Sequence, residues 1–114
     1  RDLQSKLKSA GLPWEKAKAF DRSAIVGTFL PKSKFDMSNL KFQLLKNQQP
    51  VQIGQSENMI YSFKNIISEV SKYFTLQIGD LICTGTPSGV GKVEPGDQLT
   101  GILANEEVFN LYVK

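Results

Sequence analysis

Residues 76–91, LQIGDLICTGTPSGVG, decide how the rest of the chain is read. An apolar triplet, Leu81-Ile82-Cys83, is entered through Gly79-Asp80 and left through a loop carrying Gly85, Pro87, Gly89 and Gly91. A short apolar run between such breakers reads as a buried strand that delivers a glycine-rich loop, and loops at strand ends are where functional groups concentrate. Without Cβ atoms at the glycines, backbone amides can close on a small anion, while Thr84, Thr86 and Ser88 offer hydroxyls. The plainer alternative is that glycine and proline only reverse the chain here. Three glycines and a proline in seven residues are more than one tight turn requires. A phosphate-cradling P-loop is excluded, because Gly85 to Gly91-Lys92 encloses one residue too many and Val93 stands where a hydroxyl residue is needed. The following Val93-Glu94-Pro95-Gly96-Asp97 reads as a turn, so no helix N-terminus is offered to a phosphate. Such a loop suits a small carboxylate or keto acid.

Upstream of this stretch, Ser62 is placed to cap a helix from about Phe63 to Tyr73, with Ile66, Ile67, Val70 and Phe74 on one face. Before it, Leu40-Lys41-Phe42-Gln43-Leu44 alternates with period two and Pro50-Val51-Gln52-Ile53-Gly54-Gln55 answers it, which predicts a hairpin with one buried face. Downstream, Gln98 to Ala104 and Val108 to Val113 form a second predicted hairpin around Asn105-Glu106-Glu107. Ser23 to Leu30 is a strand-like apolar stretch ended by Pro31. At the start, Leu3, Leu7 and Ala10 recur at helical spacing and Gly11 fits a left-handed C-cap. Pro13 then opens a short helical turn whose Trp14, Ala17 and Phe20 are expected to pack inward. Strands dominate, with one long helix and a short N-terminal one, so the expected class is α+β, with a mixed sheet curling on itself.

Composition narrows the function classes. The 114 residues are enough for one domain, which at this size buries about two-thirds of the surface its unfolded chain exposes. No apolar run approaches the ~20 residues of a membrane helix. The net charge of +3 comes with acidic residues interleaved among the early lysines and arginines, and nothing alternates aromatic and basic residues as single-strand nucleic-acid binders do. A membrane and a nucleic acid are therefore not expected partners. The single Cys83 reads as a small buried hydrophobe, and its lack of a disulfide partner fits a reducing cytoplasm. No histidine is present, so the commonest general base is missing from these residues. The chain opens on Arg1-Asp2-Leu3 without an initiator Met, in what already looks like the body of a helix, and is expected to be a portion of something longer.

Two polar candidates stand out on the helical beginning. Arg1 and Gln4 lie three apart on one side of the first helix. Lys18 sits between Ala17 and Ala19, close to the flank expected to be buried. For each, a solvated side chain is the ordinary role; a partly buried Lys18 ammonium would instead pair with a carboxylate or a developing oxyanion.

Taken together, Arg1-Asp2-Leu3-Gln4, GLPWEKAKAFD (residues 11–21), MIYSFKNIISEVSKYFTL (59–76), GDLICTGTPSGVG (79–91) and Pro95-Gly96-Asp97 closely resemble the fumarylacetoacetate hydrolase family, nearest to its short bacterial and mitochondrial acylpyruvase branch. The resemblance runs through nearly the whole chain in order. It implies a mixed β-sheet roll, with residues 1–114 forming the C-terminal portion of a single catalytic domain that usually dimerises. It also implies a Mg²⁺ or Mn²⁺ cofactor and a 2-oxo or β-diketo acid substrate. The implied reaction is hydrolysis of an acylpyruvate to pyruvate and a carboxylate through an enolate; oxaloacetate decarboxylation, keto–enol interconversion, or a non-catalytic remnant are the alternatives. By position, the family's active-site lysine falls on Lys18, its substrate-contacting glutamine on Gln4, its substrate-contacting threonine on Thr86, and the arginine just ahead of the glutamine on Arg1. The resemblance places the family's three carboxylate metal ligands and its His-Glu pair upstream of residue 1, leaving no metal ligand among these residues and about half of an active site. The 114 residues alone are thus expected to be inactive. Ala24-Ile25 depart from the Cys-Pro that family members often carry there.

Overall fold

The computed structural model describes residues 2–114. Four strands, β1 (Lys41–Lys46), β2 (Gln49–Gln55), β3 (Gln98–Leu103) and β4 (Glu106–Tyr112), form one sheet in the order β2-β1-β3-β4, antiparallel at every pairing. This is two hairpins side by side, as the period-two patterns predict. Each turns over two residues in the left-handed region, Asn47-Gln48 (φ 50° and 66°) and Ala104-Asn105 (φ 49° and 71°), the geometry that matches the right-handed twist of paired strands. The second turn is therefore shorter than Asn105-Glu106-Glu107: both glutamates pair with β3, Glu106 opposite Leu103 and Glu107 opposite Ile102.

Where the hairpins join, Leu99, Thr100 and Gly101 of β3 are buried. Aromatic rings cover two strand glycines. Phe42 stands opposite Gly54 and Phe109 opposite Gly101, and in each case a Cβ on the glycine would lie 2.2 Å from the ring. The absent side chains let the rings lie on the backbone, the way aromatic neighbours compensate glycines in sheets.

Asp97 ties the hairpins together. One carboxylate oxygen accepts from Asn47 Nδ2 at 2.8 Å, and the other meets Lys46 Nζ at 2.8 Å and the Glu94 amide at 2.7 Å. Its carbonyl accepts from the Val113 amide, and Asn47 bonds back to the amide and carbonyl of Gln98. These contacts, led by the Lys46 hydrogen bond, hold the Asp97 carboxyl down at about 2, below the ordinary 3.8. Pro95-Gly96-Asp97 is thus a structural lock between the β1–β2 turn, the start of β3 and the end of β4.

Among the described residues, two α-helices complete the regular structure alongside three short 3-10 turns. The first, α1 (Asp2–Ser9), ends on Gly11 at φ +66°, with the Leu12 amide reaching back to the Leu7 carbonyl at 2.9 Å. That bond and the Gly11 amide bond to Lys8 make a Schellman C-cap, as the glycine predicts. The second, α2 (Phe63–Val70), starts where Ser62 Oγ accepts from the Asn65 amide. It closes at Val70 rather than Tyr73, with the Tyr73 and Phe74 amides bonding the Val70 carbonyl in a final turn. The α+β class expected from the sequence holds, and no helix among the described residues is long and apolar enough to cross a membrane.

Several burial expectations are overturned. Leu81-Ile82-Cys83 is neither strand nor buried: Leu81 is 60% exposed and Cys83 is exposed too. Residues 81–93 pair with no backbone group among the described residues, and a strand exists only as part of a ladder. Ser23 to Leu30 likewise forms no strand; it runs beside β4 through one bond, Thr28 amide to Val108 carbonyl at 2.7 Å. Trp14 and Phe20 do not pack inward, being 49% and 60% exposed. The common cause is visible in the total surface. At 9504 Å² it exceeds by about 3,000 Å² what a compact monomer of 12.7 kDa shows, so the chain buries roughly half of its unfolded surface rather than two-thirds.

Candidate functional site

The glycine-rich loop is seated on β2 by two devices. Gly89 has φ +100°, and a Cβ there would stand 1.9 Å from the Val51 carbonyl oxygen, so only glycine allows the approach. Next to it, Gln52 Nε2 donates to Thr86 Oγ1 at 2.9 Å and to the Pro87 carbonyl at 3.0 Å, with the Ser88 carbonyl at 3.4 Å. Two of these three oxygens are carbonyls, which cannot donate, so the nitrogen end of the amide must face them.

Between this loop, β2 and the segment leading into α2 lies a cleft of about 560 Å³. Thr84, Thr86 and Ser88 give it a hydroxyl edge; Ile53, Ile60 and Phe63 supply an apolar wall. Among the described residues, no side chain lining it is charged. A carboxylate placed there meets hydroxyls, and any full positive charge has to reach it from another element. Ser62 and Asn65 close the α2 N-terminus beside the cleft.

The expected site residues are not all gathered. Thr86 lines the cleft. Gln4 is half-buried on α1, and Lys18 follows the 3-10 turn Glu15–Ala17, which packs against α1. Gln4 and Lys18 thus ride on neighbouring elements, yet neither lines the cleft. Lys18 is exposed rather than partly buried, with Nζ 5.9 Å from the Trp14 ring centroid, within cation–π range. Arg1 lies outside the described residues. Among the described residues no three His, Cys, Asp or Glu side chains come together, so this donor set does not fit a divalent ion.

Gln52 escapes sequence reasoning. It occupies a polar position in an alternating strand, and nothing local marks it as the partner of a loop 34 residues away. Asp97 is different: it closes a Pro-Gly-Asp turn that the sequence does single out.

Comparison with known proteins bears on this arrangement. A sequence model of the fumarylacetoacetate (FAA) hydrolase C-terminal domain matches residues 1–107. The oxaloacetate tautomerase YcgM of Escherichia coli is 46% identical over 102 residues, covering 88% of this chain and 47% of that protein. The mitochondrial oxaloacetate tautomerase of Homo sapiens is 47% identical over 100 residues, covering 87% of this chain and 45% of its own length. The chain therefore spans about half the length of the curated relatives it matches. Among solved structures, fumarylpyruvate hydrolase from Pseudomonas aeruginosa, in complex with Mn²⁺ and pyruvate, superposes with a TM-score of 0.87 at 36% identity over 98% of this chain and 48% of that one. A family protein from Yersinia pestis reaches 0.91 at 41% identity over all of this chain and 54% of that one.

Proposed function

The chain belongs to the fumarylacetoacetate hydrolase family, and on that premise we propose that the protein carrying it interconverts the keto and enol forms of oxaloacetate or a closely related 2-oxo acid. The observation that carries this reading is the 46% and 47% identity to oxaloacetate tautomerases across a segment that includes the glycine-rich loop. Acylpyruvate hydrolysis, the first expectation from the sequence, becomes the second reading, supported by the likeness to a fumarylpyruvate hydrolase. Both reactions pass through an enolate of a 2-oxo acid, which is why one scaffold can serve either.

In the tautomerisation a proton leaves C3, the C–H electron pair becomes the C2=C3 double bond, and the C2 oxygen takes up negative charge before it is protonated. Thr86 is assigned to the substrate carboxylate through its hydroxyl, and Gln4 to the same acid through its amide. The Lys18 ammonium is assigned to the C2 oxygen, where charge develops and a fixed cation helps most. Arg1 is a further candidate for the carboxylate. With no histidine in the sequence, the proton-transferring base is placed outside these 114 residues. The same is proposed for the ligands of a divalent ion, Mg²⁺ or Mn²⁺, and the Mn²⁺ in the Pseudomonas relative supports that assignment. A homodimer is proposed as the working form.

The test is to give the natural protein ketonic oxaloacetate and acetylpyruvate separately, following enol absorbance and identifying products. Faster enolisation with no release of carbon dioxide or acetate supports tautomerisation. Pyruvate and acetate from acetylpyruvate would install hydrolysis in its place. Indifference to both would overturn the reading.

A further inference from the structure

We propose that Gln52 is a positioning residue that fixes the hydrogen-bond polarity of Thr86, so that the threonine hydroxyl is held ready to donate to an anionic ligand. The inference rests on the assignment of Thr86 to the substrate carboxylate. A threonine hydroxyl carries one proton and can donate or accept. Beside a carboxylate, only the donating state helps. Gln52 Nε2 spends one of its two protons on Thr86 Oγ1 and the other on the Pro87 carbonyl. Because the amide is donor-only at that end, Thr86 must accept from it, and the hydroxyl proton is left to point elsewhere. Thr86 lines the cleft and Gln52 does not, so the side open to that proton is the cleft. Binding a carboxylate then requires no reorientation of the hydroxyl. The same amide occupies the Pro87 carbonyl and lies 3.4 Å from that of Ser88, carbonyls that would otherwise compete for the proton or repel the anion.

Gln52→Glu, nearly the same in shape, reverses the polarity. A carboxylate at this position accepts from Thr86 and takes the proton meant for the ligand. In the natural protein KM for oxaloacetate is expected to rise at least ~10-fold while kcat changes less than ~3-fold, because the lost interaction is made in both ground and transition states. Gln52→Ala, which removes the donor without installing an acceptor, raises KM less than Gln52→Glu does. With Thr86→Val in place, Gln52→Glu adds less than about 2-fold, since there is no longer a hydroxyl to turn. Independent, multiplying effects, or equal losses in kcat from both Gln52 variants, would reduce Gln52 to a packing residue and overturn the proposal. A readout free of turnover separates this from the function itself. Nuclear magnetic resonance should find the Gln52 side-chain amide protons exchanging slower than those of exposed glutamines such as Gln49, with Thr86→Val accelerating them. Slow exchange in a protein that ignores oxaloacetate and acetylpyruvate would sink the functional reading and keep the clamp; fast exchange in an active protein would do the opposite.

Discussion

Gly89→Ala is the perturbation whose cost follows most directly from the structure. A methyl at residue 89 would stand 1.9 Å from the Val51 carbonyl oxygen, and real Cβ atoms essentially never approach closer than 3.0 Å, so the loop must lift from β2 by about 1.1 Å. That displacement carries the Gln52 contacts at 2.9 and 3.0 Å out toward 4 Å, beyond hydrogen-bonding distance. Two bonds at about 1 kcal/mol each, plus ~1–2 kcal/mol for alanine in a left-handed backbone, give a loss of about 3–4 kcal/mol. Two sister glycines separate these causes. Gly85, at φ +94° with open space where a methyl would stand, has only the backbone cost, so Gly85→Ala should lose about 1–2 kcal/mol. Gly91 has neither a positive φ nor a neighbour within 4 Å, and its alanine should be within ~0.5 kcal/mol of wild type.

The assay is thermal unfolding of the natural protein with turnover measured on the same samples. For a chain of the relatives' length, each kcal/mol moves the midpoint by roughly 2–4 °C, so Gly89→Ala should fall by about 6–16 °C and Gly85→Ala by about a third to a half as much. Moving Thr86 by about 1 Å should also cut kcat/KM up to ~100-fold, chiefly through KM, as small misplacements of positioning groups do. If Gly89→Ala and Gly85→Ala lose the same stability and activity, the loop is not seated on β2 in the way described and the reasoning fails.

Further outcomes follow from the rest of the molecule. Lys18→Ala in the natural protein should lower turnover at least ~100-fold, the loss typical of deleting one oxyanion donor, and a near wild-type rate would remove Lys18 from the site. Asp97, at about 2 when folded against an ordinary 3.8, contributes stability that is complete above about pH 4 and is lost as pH falls toward 2. Unfolding midpoints between those pH values should therefore drop more steeply for wild type than for Asp97→Asn, and parallel slopes would dissolve the lock. The 114-residue polypeptide made on its own, with its excess of about 3,000 Å² of surface, should bind a hydrophobic dye at neutral pH and unfold without a sharp transition. A sharp transition without dye binding would contradict that.

What the sequence made legible divides along a physical line. The hairpins, the Ser62 cap, the Gly11 cap and the Pro95-Gly96-Asp97 turn rest on interactions within a few residues, and each came out where local chemistry puts it. Ser23–Leu30 and Leu81–Cys83 have strand-like composition, but a strand needs a neighbour, and none of the described residues supplies one for Leu81–Cys83. Apolar spacing at Trp14 and Phe20 predicts a covered face, while here they are 49% and 60% exposed. The pattern therefore reports the need for a cover without locating it. The candidate site inherits this division. Thr86 was legible from its glycine-rich setting, and the Gln52 and Gly89 contacts that aim it are complete within this chain. Lys18 stood out beside a flank expected to be buried but took its role from the resemblance, and it lies near the Trp14 ring without lining the cleft. On the proposed assignment, holding the carboxylate falls to a clamp built within this chain, whereas bringing a cation to the developing oxyanion depends on how α1 and the Trp14 turn are covered. Changes along β2 should accordingly show first in KM, and changes under Trp14 should show first in kcat.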